Sequence, residues 1–169
     1  MANNTTLTTL EIDGIQKRNV LEYSYEFERP TDKENQPAGI PRGGRLYIKV
    51  DALTKSGNHL DLFSWMVNRT NKKNGKIIVR EPADHNNILK TLTFGDAFCV
   101  KYKEVWKDVK DGKGETANTE EIYITWRTLT WDNVTYENEW VSMGNTNSEL
   151  TRTVIKGGKN ELSDMMSGL

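Results

Sequence analysis

Along most of the chain apolar and polar positions alternate one for one, the period of a strand with one face buried. Over residues 20–29, Leu21, Tyr23, Tyr25 and Phe27 alternate with Glu22, Ser24, Glu26 and Glu28, which gives one apolar face and one strongly acidic face. A shorter strand is expected over 7–12, joined to it through Asp13-Gly14, because glycine accepts the positive φ that hairpin turns need. Leu46, Ile48 and Val50 mark a third strand. Strand signals resume at 76–80, ending before Pro82, then at 88–94 and 97–106. Gly95-Asp96 separates the last two as either a turn or a bulge. In the later piece Phe98, Val100 and Tyr102 point one way, and Ala97, Cys99, Lys101 and Lys103 the other. Residues 121–131 carry apolar groups on both faces: Ile122, Ile124 and Trp126 on one, Tyr123, Leu129 and Trp131 on the other. The second set calls for a cover, supplied by a helix or by another copy of the chain.

Three segments depart from this period. Residues 30–44 hold three of the four prolines together with Gly39, Gly43 and Gly44, and no periodic apolar set, so they read as a long loop. Loops of about 15 residues without structure of their own are uncommon in compact domains and are usually functional or flexible. Within 58–68, Leu62, Trp65 and Met66 stand at i, i+3 and i+4, with Ser56 or Asn58 able to cap the start, and this is where the single helix belongs. Residues 107–120 are charged and nearly free of apolar groups, the composition of an exposed hairpin loop.

Composition narrows the function. The 169 residues suit one domain, long enough to bury a core without metals or disulfides. Charges nearly cancel to −1, which argues against a nucleic-acid partner. Cys99 stands alone, so there is no internal disulfide and no thiol cluster for zinc, consistent with folding in a reducing cytoplasm. It reads as a small strand residue rather than a nucleophile, since neither histidine lies near it in sequence. His59 and His85 match no metal-ligand spacing. The run Gly39 to Gly44 lacks the Lys-Ser/Thr ending of a phosphate cradle and leads into a strand instead of a helix. Glu22, Glu26 and Glu28 suit a solvated or interface face better than acid/base catalysis. No catalytic residue, cofactor or metal is expected. The first residues lack the basic region and apolar run of a secretory signal, and no apolar segment approaches the roughly 20 residues that span a bilayer, so neither a cleaved leader nor membrane insertion is expected.

Five pieces, taken in order, resemble a known family. They are Leu10-Glu11-Ile12-Asp13-Gly14 with residues 19–27, then Pro41-Arg42-Gly43-Gly44, Leu62-Phe63-Ser64-Trp65-Met66-Val67, residues 97–102, and Tyr136-Glu137-Asn138-Glu139-Trp140. Over roughly 7–141 the chain is similar to the Hcp (TssD) tube proteins of type VI secretion in Bacteroidetes. The resemblance implies a mainly β fold, a small barrel of two antiparallel sheets flanked by one α-helix, assembling into stacked hexameric rings. It implies a tube driven out of the cytoplasm by a contracting sheath, without a signal peptide, with sheath, spike or baseplate and effector proteins as partners. The loop over 30–44 inherits a role in contacting adjacent subunits, and the candidate assembly interface is Arg29, Gln36, Ile40, Arg42, Gly43, Tyr123, Leu129 and Trp131. Two alternatives stay open: the tube protein of a phage-like contractile injection device, and a monomeric ligand-binding β-barrel. Residues 1–141 form the barrel domain in this reading. Residues 142–169, which close with Glu161, Leu162, Met165 and Met166 at helical spacing, run past the family's usual end as an extension of unknown role: a disordered tail, a strand added to a neighbouring barrel, or a docking peptide for an effector or baseplate protein.

Overall fold

The computed structural model describes residues 7–52, 60–107, 117–138 and 140. The first hairpin forms where the alternating pattern places it. β1 (Thr8–Ile12) turns through Gly14, whose φ is 72°, into β2 (Ile15–Ser24). β2 begins earlier than its apolar alternation suggests, and its inward residues change parity. Arg18 and Val20 face the interior, the chain bulges at Leu21, and from there Tyr23 pairs with Ile48 and leans on the core. Leu21 is left 52% exposed. A bulge adds one residue to one strand only, so a strict period of two fails across it.

β5 (Leu46–Asp51) alternates as expected, with Leu46, Ile48 and Val50 fully buried. β6 (Lys73–Arg80) ends before Pro82. The two segments expected at 88–94 and 97–106 are one strand, β7 (Ile88–Lys107), and Gly95-Asp96 is a bulge within it. Asp96 sits at φ 48°, and the register with β6 gains one residue there. Ala97 and Cys99 face inward, as a set opposite Phe98. A second bulge between Cys99 and Lys101 then brings Tyr102 to the inner side against Ile122.

Residues 121–131 are not a single strand. β8 (Ala117–Thr125) ends at Trp126, and the chain returns as β9 (Thr128–Trp131), which pairs with residues 92–95 of β7 and continues into β10 (Val134–Glu137). Leu129 thereby lies beside Phe94 in this chain's own core, and Trp131 packs on Tyr23 and Tyr25. Of the three residues expected to need an outside cover, only Tyr123 stays on the outer face.

β1, β2, β5, β8, β7 and β6 pair in that order, all antiparallel, and β6 returns to β1, which closes a six-stranded barrel. β9 and β10 extend the sheet from β7. The interior is filled: Leu10, Ile48, Ile77, Leu92, Phe94, Ile122 and Ile124 have essentially no exposure. Helix α1 (Asp61–Val67) is the one α-helix among the described residues, and it buries Leu62 and Trp65 against the barrel. Seven residues are too few for a stable helix in water, so this packing holds it. Its N-cap, Leu60, makes no side-chain cap; the caps expected from Ser56 or Asn58 lie outside the described residues.

The stretch expected to be an exposed loop at 107–120 is partly strand. β7 continues to Lys107 and β8 starts at Ala117, while the tip lies outside the described residues, as do His59 and residues 141–169.

Candidate assembly surface

Arg18 is the most deeply buried charge in the barrel. Its side chain has no exposure, its Nη2 donates to Asp61 Oδ1 at 2.5 Å, and it stands 3.6 Å from Glu120 Oε1. Asp61 also accepts from Gln16 N at 3.0 Å, and Tyr102 Oη donates to Glu120 Oε2 at 2.9 Å. One guanidinium therefore ties β2, β8 and the first turn of α1 together. Burial, moderated by Tyr102 and Arg18 and reinforced by Asp61 and Glu104, pushes the Glu120 carboxyl above its ordinary range. These groups are spent on holding the helix to the barrel. Burial also pushes the Cys99 thiol up to about 11. Among the described residues no group of three or more His, Cys, Asp or Glu side chains is placed to hold a metal.

The exposed chemistry lies elsewhere, on the segment expected to be a long loop. That segment is an arm with an ordered base. β3 (Phe27–Glu28) pairs with β4 (Arg42–Gly43), Phe27 opposite Gly43 and Glu28 opposite Arg42. A Cβ at Gly43 would lie 2.4 Å from Trp126 Cη2, so only glycine lets the indole pass beneath the ladder. Phe27 stands 5.7 Å from Trp126 and meets Tyr136 edge-on at 4.9 Å, while the Tyr136 hydroxyl donates to the Pro41 carbonyl. Edge-to-face rings at such distances attract beyond their burial alone.

Beyond the base the arm satisfies its own backbone. Ala38 N donates to Pro30 O at 2.9 Å and Asp32 N to Gln36 O at 2.9 Å. Asp32 Oδ1 accepts from Glu34 N and Gln36 N, an Asx-type turn with Asn35 at φ 61°. Every side chain over 26–40 is nonetheless exposed. The arm touches the core only at its base, where Phe27 and Gly43 meet Trp126.

On the outer wall, Glu22, Lys49, Glu121 and Lys103 face one another across β2, β5, β8 and β7 in alternating sign. Beside them Tyr47 and Tyr123 lie 4.9 Å apart, with Lys101 Nζ 5.0 Å above the Tyr123 ring. Hydrogen bonding from Tyr47, opposed by burial and supported by the nearby Lys103 and Lys49, holds the Glu121 carboxyl below its ordinary range. Cross-strand pairs of opposite charge are the sheet counterpart of helical i,i+4 pairs.

The eight residues expected at an interface thus fall into two sets. Arg29, Gln36, Ile40 and Arg42 are exposed on the arm, and Tyr123 is half-buried on the outer wall. Gly43, Leu129 and Trp131 serve this chain's own packing. Sequence reasoning did not single out Arg18, Asp61, Glu120 or Phe27 with Tyr136 as a unit. No local signal marked Arg18, because the strand that carries it starts earlier than its apolar alternation.

The fold and this surface define a small, filled, closed-barrel protein with an exposed, hydrogen-bonded arm on an ordered base. The chain belongs to the hemolysin coregulated protein Hcp (TssD) family, whose model matches residues 4–141, and it is accordingly a type VI secretion tube protein. Hcp1 from Flavobacterium johnsoniae is 32% identical, with a TM-score of 0.66 over 78% of this chain and 99% of that one. Two more distant structures share the fold. Hcp1 from E. coli EAEC 042, solved as a double mutant, is 11% identical with a TM-score of 0.57 over 79% of this chain and 97% of that one. A type VI secretion system effector from Yersinia pestis is 13% identical with a TM-score of 0.57 over 78% and 99%. No curated protein sequence matches the chain. Among the described residues no helix is long and apolar enough to cross a membrane.

Proposed function

We propose that this chain builds the inner tube of a type VI apparatus: six copies close into a ring, rings stack, and a contracting sheath expels the column with effectors in its channel. The observation that carries this reading is the arm, which is held stiff by Gly43, Phe27 and Tyr136 yet exposes every side chain over 26–40. A segment ordered in advance loses little conformational entropy when a neighbour receives it. Arg29, Gln36, Ile40 and Arg42 form the arm's contact set, and Tyr123 with the alternating charges of the outer wall forms a second contact region. The protein itself is structural in this reading, with sheath, spike or baseplate and effector proteins as partners, and it travels from the cytoplasm to the exterior.

Electron microscopy of the purified full-length protein tests the proposal. Six-fold rings with an open centre, stacking as concentration rises, are expected. Uniform single globules at every concentration would sink it.

A further inference from the structure

Helix α1 depends on what it touches. It is seven residues long, its N-cap makes no side-chain hydrogen bond, and its last turn carries no basic residue. Isolated helices this short do not persist in water. Its hold on the barrel has two parts. Leu62 and Trp65 are buried in the core, and Trp65 Nε1 donates to Asn71 O at 2.9 Å. Asp61 supplies the other part, because its carboxylate accepts from Arg18 Nη2 at 2.5 Å, Leu62 N at 2.7 Å and Gln16 N at 3.0 Å. The helix lies against the stretch of β7 that has left β6. From Phe98 to Lys107 that strand pairs with β8 alone among the described residues, and Phe63 of α1 meets Tyr102 edge-on at 5.6 Å.

The charges in this joint do not balance. Arg18, Asp61 and Glu120 are all buried, and among the described residues Arg18 is the one cation that faces both carboxylates. From β7, Tyr102 Oη donates to Glu120 Oε2 at 2.9 Å, and Glu104 stands opposite Glu120 in the ladder as a further carboxylate. From β5, Val50 brings no charge. A buried charge without its counterpart is costly. One proton on Glu120 restores the balance and leaves Arg18 to Asp61.

The influences on Glu120 divide by element. Burial comes first among those that hold its carboxyl above the ordinary range, and Asp61 adds to it. When the helix lifts, the charge of Asp61 leaves with it and water reaches Glu120 where Asp61 stood. Tyr102 and Arg18, which act the other way, and Glu104 belong to barrel strands and stay behind. Opening therefore loosens the proton on Glu120, and by linkage the proton favours the closed helix.

We infer that α1 is a pH-sensitive latch: protonation of Glu120 leaves Arg18 to Asp61 and locks the helix to the barrel, and ionisation of Glu120 lets the helix open by itself while the strands stay paired. This goes beyond the tube reading and does not depend on it, because every group involved lies in one copy.

Hydrogen exchange on the full-length chain from about pH 4 to about pH 7, with intrinsic exchange rates divided out, tests it. Protection over 62–68 is expected to fall as pH rises, by no more than about tenfold per pH unit, the slope that one proton allows. It should lie below protection over 46–51 in β5 at every pH and respond only weakly to low denaturant, since opening one helix exposes little surface. In Glu120→Gln, which keeps an acceptor for Tyr102 without the charge, protection over 62–68 should no longer vary with pH. Three results overturn the inference: constant protection of α1 in the parent chain, exchange of α1 and β5 at one common level, or a fall with pH that survives Glu120→Gln. The first two are read on the parent alone and hold even where the variant does not fold.

Discussion

Arg18 holds three elements at once, and its neighbours are two carboxylates rather than one. Removing it leaves Asp61 and Glu120 buried without a counter-charge, so Arg18→Met should destabilise the chain by about 3–5 kcal/mol, the usual cost of breaking a buried pair from one side. Chemical denaturation measures this, and a loss below 1 kcal/mol would mean that water already screens the cluster. Full ionisation of the cluster sets one positive charge against two negative ones. Because the folded-state pKa of Glu120 is raised, the folded chain binds the extra proton more readily than the unfolded one. Stability contributed by that proton is present at low pH and lost as pH rises from the ordinary carboxylate range through the raised value. Arg18, Asp61, Glu104 and Tyr102 all face Glu120, so the effect belongs to the whole group. In Glu120→Gln this portion of the pH–stability curve should flatten, as read by thermal melts at a series of pH values. None of this was legible from residue order, because Arg18, Asp61 and Glu120 lie far apart in the chain and nothing in their local patterns pairs them.

Among the elements, strands were legible wherever the alternation ran uninterrupted, as in β5, where Leu46, Ile48 and Val50 all point inward. The misreadings sit at bulges and at one reversal. At Leu21 and again at Val100 an extra residue switches parity, so Leu21 leaves the apolar face it shares in the sequence pattern with Tyr23, and Tyr102 turns inward away from Phe98. Between Trp126 and Thr128 the chain leaves one strand for another, which moves Leu129 from a supposed outer face into the core. The helix was legible from three apolar positions because Leu62 and Trp65 point into the core and Met66 packs against it. The arm was found as a segment but read as structureless, since its order comes from Gly43 passing over Trp126, a contact between distant positions. Gly43→Ala should therefore destabilise the fold by about 1–3 kcal/mol, as overpacking does, with the loss visible as a lower melting temperature. Tyr136→Phe removes only the hydroxyl that holds Pro41. Its expected cost is about 0.5–1.5 kcal/mol, together with faster amide exchange over 30–41 and an unchanged barrel.

At the scale of the whole molecule, the barrel and the arm divide the work. The barrel closes on itself and fills its interior with side chains, so it exposes no sheet edge between β1 and β6. What it leaves to the outside is an arm with an ordered base and an outer wall of alternating charge. The family resemblance was readable in five short pieces, among them the base of the arm, the helix and the Tyr136 segment, and the match over 4–141 bears it out. In the proposed tube the tip of the arm, residues 36–40, joins copies of this chain, while the packing that stabilises one copy lies at the arm's base. Deleting residues 36–40 and comparing the variant with the parent by sedimentation velocity at high concentration tests it most directly. An unchanged circular dichroism spectrum and melting temperature are expected together with the loss of stacked particles; stacks of parental size from a folded deletion variant would rule out a joining role for the arm's tip.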